Sequence, residues 1–350
     1  MPISRPPRFP QQGPAVSAAV PVVSLPVVSV LLPLMPERPE QLLRYARLVH
    51  DGLAQRLWQG QAVTVDPSHG FAYAAGAGLR VPVGLAVTLM PMRHPFQAAM
   101  EARSLAATTG HPVIYGMGPG PELFQRLLTG APYPSQLGAV RDYLTTVRGL
   151  LDAVPDASTS RYAAALPLPA LTHPPVLLGL GVLRPRMARL AGELADVAIT
   201  WLAPAAYLAG TVTPALAAGA ARAGRATPRI SALVPVALHR PGRNPYRVAL
   251  GSAYGHLRAP HYQDMLAKAG VTADPSDPRA AAKALIDSGC FLYEDPAGLR
   301  RRLREYAAAG VSEVVLNLTG VHAQDGADAA YEELVEILAA VAGGADRAAG

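Results

Sequence analysis

Short apolar runs along the chain alternate with longer stretches in which apolar residues recur every three or four positions. The runs cover residues 27–32, 57–65, 83–90, 113–117, 176–182, 197–202, 230–238 and 312–318, and they predict eight strands. Between them, Met187, Leu190, Ala191, Leu194 and Ala195 fall at i, i+3, i+4, i+7 and i+8 and predict an amphipathic helix. Pro185 suits its first turn, where a missing N–H costs nothing. A second helix is expected over 95–108, burying Phe96, Ala99, Met100 and Leu105, with others over 39–57, 140–151, 296–309 and 327–341. Eight strands alternating with helices predict an α/β fold, a parallel (β/α)8 TIM barrel. A ninth apolar run, 162–168, reads as an insertion between barrel units. The expected domain plan is a proline-rich disordered arm over 1–24, one barrel over 25–343 and a flexible tail over 344–350.

Composition narrows the classes of function. Half of the 350 residues are apolar, enough for a large core. Prolines and polar residues break even the segment 20–35, so no stretch reaches the roughly 18 apolar residues of a membrane span, and no secretory-signal pattern appears. Cys290 is the one cysteine, which excludes an intrachain disulfide or a cysteine metal cluster and fits a reducing cytoplasm. The net charge of +6 rests on scattered arginines. Their densest group, Arg300, Arg301, Arg302 and Arg304, reads as the solvated face of a helix, so no nucleic-acid partner is expected. The histidines, His256 and His261 among them, lack a carboxylate or cysteine at ligand spacing, and no metal is expected. Without a G-x-S-x-G, a P-loop or a Cys/His pair, hydrolysis and phosphoryl transfer have no carrier.

Two loops carry the chemistry. "VIYGMGPGPE", residues 113–122, sets Gly116, Gly118 and Gly120 at the end of the fourth predicted strand, where binding groups of a barrel gather. The spacing is not that of a dinucleotide fingerprint, and Pro119 and Pro121 remove amide donors. Either a plain turn or a bare backbone that a flat ring can approach accounts for it. "GLGVLRPRM", residues 179–187, joins the fifth strand to the amphipathic helix. Amides of Gly181, Val182 and Leu183 would point along that helix, whose N-terminus favours a phosphate, and Arg184 adds a cation. A bare helix cap is the alternative.

"VGLAVTLMPMRHPFQAAMEARSLAATTGHPVIYGMGPG" resembles the strand–helix–strand unit of the luciferase-like monooxygenase superfamily. "PPVLLGLGVLRPRMARLAGELADVAITWL" is similar to that superfamily's coenzyme-phosphate unit, and "AGVSEVVLNL" to its last strand. The similarity spreads over about 26–342 and is nearest to the deazaflavin-dependent branch. The resemblance implies a luciferase-like barrel with short insertions that holds coenzyme F420 at its C-terminal mouth. The phosphate would lie on Gly179, Leu180, Gly181, Val182 and Arg184, and the ring on Gly116, Gly118 and Gly120. Ala86–Val87, where relatives often carry a non-prolyl cis peptide, would stand behind the ring.

Where many deazaflavin relatives place an acid or a histidine, this chain has Trp58, Gln59, Gly60 and Gln61. His94, Tyr115 and Glu122 are therefore the candidate proton donors, against duller roles as helix cap, barrel packing and helix-start charge. Trp58, Gln61 and Trp201 are expected at the substrate cavity, although tryptophan also serves as packing. The expected activity is an F420-dependent reduction of a conjugated C=C or C=N bond in natural-product tailoring. Its substrate would be a small molecule or a modified peptide bearing dehydroalanine, and its enzyme a cytoplasmic protein for which a homodimer is allowed. The alternatives are an FMN-dependent monooxygenase and a non-catalytic barrel that binds coenzyme or a partner enzyme.

Overall fold

The structure, a computed structural model, describes residues 24–343; apart from Ser24, the expected arm and the expected tail lie outside the described residues. Nine parallel strands form: β1 (Val27–Leu31), β2 (Leu57–Gln59), β3 (Val83–Leu89), β4 (Val113–Gly118), β5 (Val176–Gly181), β6 (Val197–Trp201), β7 (Arg229–Leu238), β8 (Leu292–Glu294) and β9 (Glu313–Asn317). Pairing runs in order from β1 to β7, then from β7 to β9 and back to β1, which closes an eight-stranded barrel. β8 lies outside this ring, paired only to the last three residues of β7. The (β/α)8 expectation holds, with one strand more than the apolar runs announce.

The helices are α1 (Leu43–His50), α2 (Pro67–Gly76), α3 (Pro95–Thr109), α4 (Glu122–Thr129), α5 (Gln136–Leu151), α6 (Pro185–Leu194), α7 (Ala205–Tyr207), α8 (Thr213–Arg222), α9 (Pro245–Leu257), α10 (Pro260–Lys268), α11 (Pro278–Asp287), α12 (Pro296–Ala308), α13 (Thr319–Asp325) and α14 (Ala327–Ala342). Seven of them start on a proline, whose locked φ fits the first turn and whose lacking N–H leaves no orphan donor there. Side chains of Asp66, Asn244, Asp277 and Asp295 then accept the next free amides. The helix expected over 39–57 stops at His50, where Gly52 turns the chain at φ +78°. In α3 the buried face is Ala98, Ala99, Ala102, Leu105 and Ala106; Met100 is exposed, which corrects the expected stripe. Residues 162–168 form no element and bury Ala164 and Leu168 under the barrel's flank.

Alternation along each strand sorts side chains between two cores. Leu57, Val113, Tyr115, Leu178 and Leu180 face the helices. Leu31, Trp58, Ile114, Val197, Ile199, Leu233 and Val315 fill the barrel. Beneath them lies a polar plug. Glu313, at the start of β9, accepts hydrogen bonds from Ser29 (2.5 Å), Trp58 Nε1 (2.8 Å) and Ser231 (2.9 Å). Arg56, whose Nε lies 3.6 Å from the same carboxylate, donates to the carbonyls of Val83 and Pro112. Such a carboxylate tolerates burial because its lone pairs and charge are met.

Candidate active site

The C-terminal mouth is built on the same alternation. With Ile114 inside, Gly116 and Gly118 of β4 also face the barrel, and with Leu177 inside, so do Gly179 and Gly181 of β5. Gly116 pairs with Gly179, so four glycines give two adjacent strands a bare inner face. A Cβ on Gly116 would stand 2.0 Å from the Leu85 carbonyl oxygen; one on Gly118 would meet a Val87 methyl at 2.9 Å. Val87 follows a cis peptide from Ala86, and both are half-buried inside the mouth. Gly120 turns the chain at φ +70°. The amide of Gln125, a residue the sequence did not single out, pins this loop by donating to the carbonyls of Pro119 (3.0 Å) and Gly120 (2.9 Å). It also bonds the Gln136 side chain at the start of α5.

The expected phosphate loop needs a shift along the chain. Gly179 and Leu180 lie within β5, with Leu180 turned to the helices, and Val182 N–H is taken by the Ile199 carbonyl (2.8 Å). The open groups come later. Arg184 is the N-cap of α6 and supplies no side-chain cap, so the first-turn amides face outward. They border a cleft of about 510 Å³ lined by Ser135, Gln136, Arg184, Arg186, Asp264 and Lys268. Arg184 Nη1 lies 3.4 Å from Asp264, which also contacts Lys268. Two helix starts and three cations thus converge on one cleft.

The three candidate acids part company. Tyr115 is a correction. It points away from the barrel and is fully buried, with its hydroxyl 3.3 Å from Arg93 Nη1, and burial followed by the Glu101 carboxylate pushes its phenol pKa up. Arg93 also meets Glu101 and Asp66, forming a partly buried ion cluster behind the rim. His94 caps α3 by accepting from Phe96 N–H (3.2 Å), its duller role. Glu122 stands exposed in the first turn of α4, beside the glycine loop.

Of the expected substrate residues, two are corrections. Trp58 is fully buried and bonded to Glu313, which leaves it no face for a substrate. Gln61 spends its amide internally, donating to Ala62 and accepting from Arg93. Trp201 does lie half-buried inside the mouth, with a buried Nε1–H that has no partner. His256 stacks on it at 4.9 Å and in turn meets Tyr262 edge-on. Asn317, last residue of β9 and inward-facing by alternation from Val315, offers a second orphan: Thr319 occupies its Oδ1 while its Nδ2 is unpartnered. Neither His256 nor Asn317 carried a local signal.

His256 gives the mouth a pH limit. Burial, then neighbouring His261, holds its pKa down to about 4, whereas the unfolded side chain titrates near about 6.5. The unfolded chain therefore binds more protons between those values, and stability falls as pH drops from about 6.5 to 4, by up to about 3 kcal/mol. Denaturant midpoints across that window check this: a His256→Phe chain, which keeps the stacking, should lose clearly less than wild type.

Comparisons with known proteins agree with the barrel fold. The luciferase-like monooxygenase model matches residues 18–313. No curated protein matches the chain in sequence. Many solved structures share the fold, three of them as follows. An F420-dependent secondary alcohol dehydrogenase in complex with an F420–acetone adduct has a TM-score of 0.72 at 18% identity, over 91% of this chain and 99% of that one. The coenzyme F420-dependent tetrahydromethanopterin reductase from Methanopyrus kandleri gives 0.66 at 17%, over 90% and 97%. The oxygenating constituent of 3,6-diketocamphane monooxygenase from the CAM plasmid of Pseudomonas putida, in complex with FMN, gives 0.67 at 14%, over 91% and 97%. Among the described residues no helix is long and apolar enough to cross a membrane. With a barrel of this topology and a family match that spans most of its length, the chain belongs to the luciferase-like monooxygenase family.

Proposed function

We propose that the protein is an F420-dependent reductase acting on a conjugated C=C or C=N bond. The observation that carries this reading is the bare glycine face of β4 and β5 beside Val87, together with the cleft lined by Arg184, Arg186 and Lys268 at the start of α6, the helix that follows β5. A flat ring fits against unsubstituted backbone, and the cleft fits a phosphate with room for a chain beyond it. When bound, the reduced deazaflavin supplies a hydride from carbon 5 of its ring.

The chain's own residues do the rest. Arg184, Arg186 and Lys268 hold the phosphate by charge, and the first turn of α6 offers it amides. Ala86, Val87, Gly118 and Gly181 form the wall on which the ring rests. The unpartnered Trp201 Nε1–H and Asn317 Nδ2 hold the polar end of the acceptor, since a buried donor without a partner costs about 1–3 kcal/mol until a ligand meets it. Glu122 is the proton donor within reach of solvent and rim; without it, water entering the mouth serves. A dehydroalanine unit in a modified peptide suits a mouth lined by such donors, because its double bond is conjugated to an amide carbonyl.

Titration with F420 and with FMN, followed by the fluorescence of each ring, tests the coenzyme. F420 should bind more tightly. Tighter FMN binding favours a monooxygenase, the reading supported by the FMN-bound structural relative, and binding of neither leaves a non-catalytic barrel. Turnover with F420 deuterated at carbon 5, on a panel of enones and dehydroalanyl peptides, should place one deuterium in product. Unlabelled product under single-turnover conditions contradicts hydride transfer.

A further inference from the structure

We propose that Asp264 sets the charge of the anion that the α6 cleft accepts, favouring a phosphate with one negative charge, as in a phosphodiester, over the two of a phosphomonoester. This rests on the coenzyme reading above and names the form of phosphate that the site takes.

Asp264 is the single carboxylate among the residues lining a cleft that holds three cations, Arg184, Arg186 and Lys268. It lies between two of them, with one oxygen 3.4 Å from Arg184 Nη1 and the other in contact with Lys268. That is where the oxygens of a bound phosphate would be drawn. The pair is not structural: Arg184 is 48% exposed and Asp264 39%, and an ion pair so open to water contributes little to folding. Lys268, then Arg184, also holds the Asp264 carboxyl below its usual range, so it is charged at neutral pH.

An entering phosphate takes Arg184 from Asp264 but cannot remove Asp264, which is fixed on α10 a few ångströms away. Its repulsion grows in proportion to the charge on phosphorus. FMN carries a phosphomonoester with a second pKa near about 6, and so close to two charges at pH 7.5. The phosphate of F420 is a diester with one charge, and its esterified chain has the remaining length of the cleft to occupy.

The test uses Asp264→Asn and two probes that share ring and ribityl chain but differ by one charge: FMN and its phosphate monomethyl ester. Flavin fluorescence titrations at low salt should show the variant binding FMN about tenfold more tightly than wild type and the methyl ester about threefold more tightly, both gains shrinking in 1 M salt. Equal gains for the two probes, no gain for FMN, or FMN binding to neither chain overturns the proposal. Melting curves confirm that the variant folds, and Asp264→Ala should repeat the pattern. The coenzyme reading fails separately, if wild type prefers FMN to F420, a comparison in which the variant takes no part.

Discussion

Gly118→Ala is expected to weaken coenzyme binding by about 10–100-fold while the protein stays folded. The added methyl would stand 2.9 Å from one Val87 methyl, inside the mouth and on the wall proposed for the ring. Overpacking of that size costs about 1–3 kcal/mol, which is about the stated loss of affinity when it falls on a binding surface. Val87 is β-branched and stiff, so the strain passes to whatever lies against it. Gly116→Ala supplies the contrast. Its Cβ would sit 2.0 Å from a backbone oxygen of β3, a clash that only movement of the strand relieves. Titration and melting of both variants check the pair: Gly116→Ala should melt far lower, Gly118→Ala should not. Unchanged coenzyme affinity in a folded Gly118→Ala chain would reduce the glycine face to ordinary strand packing.

Glu313→Ala is expected to destabilise the barrel by about 3–5 kcal/mol. The substitution strands the Arg56 guanidinium, a buried cation whose pKa burial already lowers, and orphans the donors of Ser29, Ser231 and Trp58. Glu313→Gln should lose less, because the amide oxygen still accepts, though Arg56 loses its counter-charge. Urea denaturation of the three chains measures the order wild type, Gln, Ala; equal midpoints for wild type and Ala would show the network to be idle.

Much of this architecture was legible because the strands of a closed parallel barrel are covered on both sides, so the eight read as largely apolar runs, with polar breaks such as Gln59 and Asn317 at their ends. β8 escaped because it has three residues and pairs only at the rim of β7. α2, "PSHGFAYAAG", escaped because small residues all round give no apolar stripe. At the site the glycines are visible in the sequence, and alternation orients their neighbour: if Gly116 and Gly118 face inward, Tyr115 between Ile114 and Gly116 must face out. No such rule reveals Trp58 bonded to Glu313 across 255 positions, or Arg184 paired with Asp264 across 80. Those partners meet only because the ring closes and α10 brings Asp264 to the start of α6. The orphan donors of Trp201 and Asn317 are likewise properties of the closed barrel, since in an open chain water satisfies both.

The plug of Ser29, Arg56, Ser231 and Glu313, with Trp58 above it, and the apolar side chains that fill the barrel close it below the C-terminal mouth, so a ligand reaches the glycine face from one side only. Two molecules that stack at such a one-sided mouth must queue. The one lying deeper arrives first and departs last, and the other comes and goes above it. If coenzyme and acceptor share this mouth as proposed, their binding is expected to follow a compulsory order, and a compound that imitates the upper guest should gain its seat only after the lower one is in place.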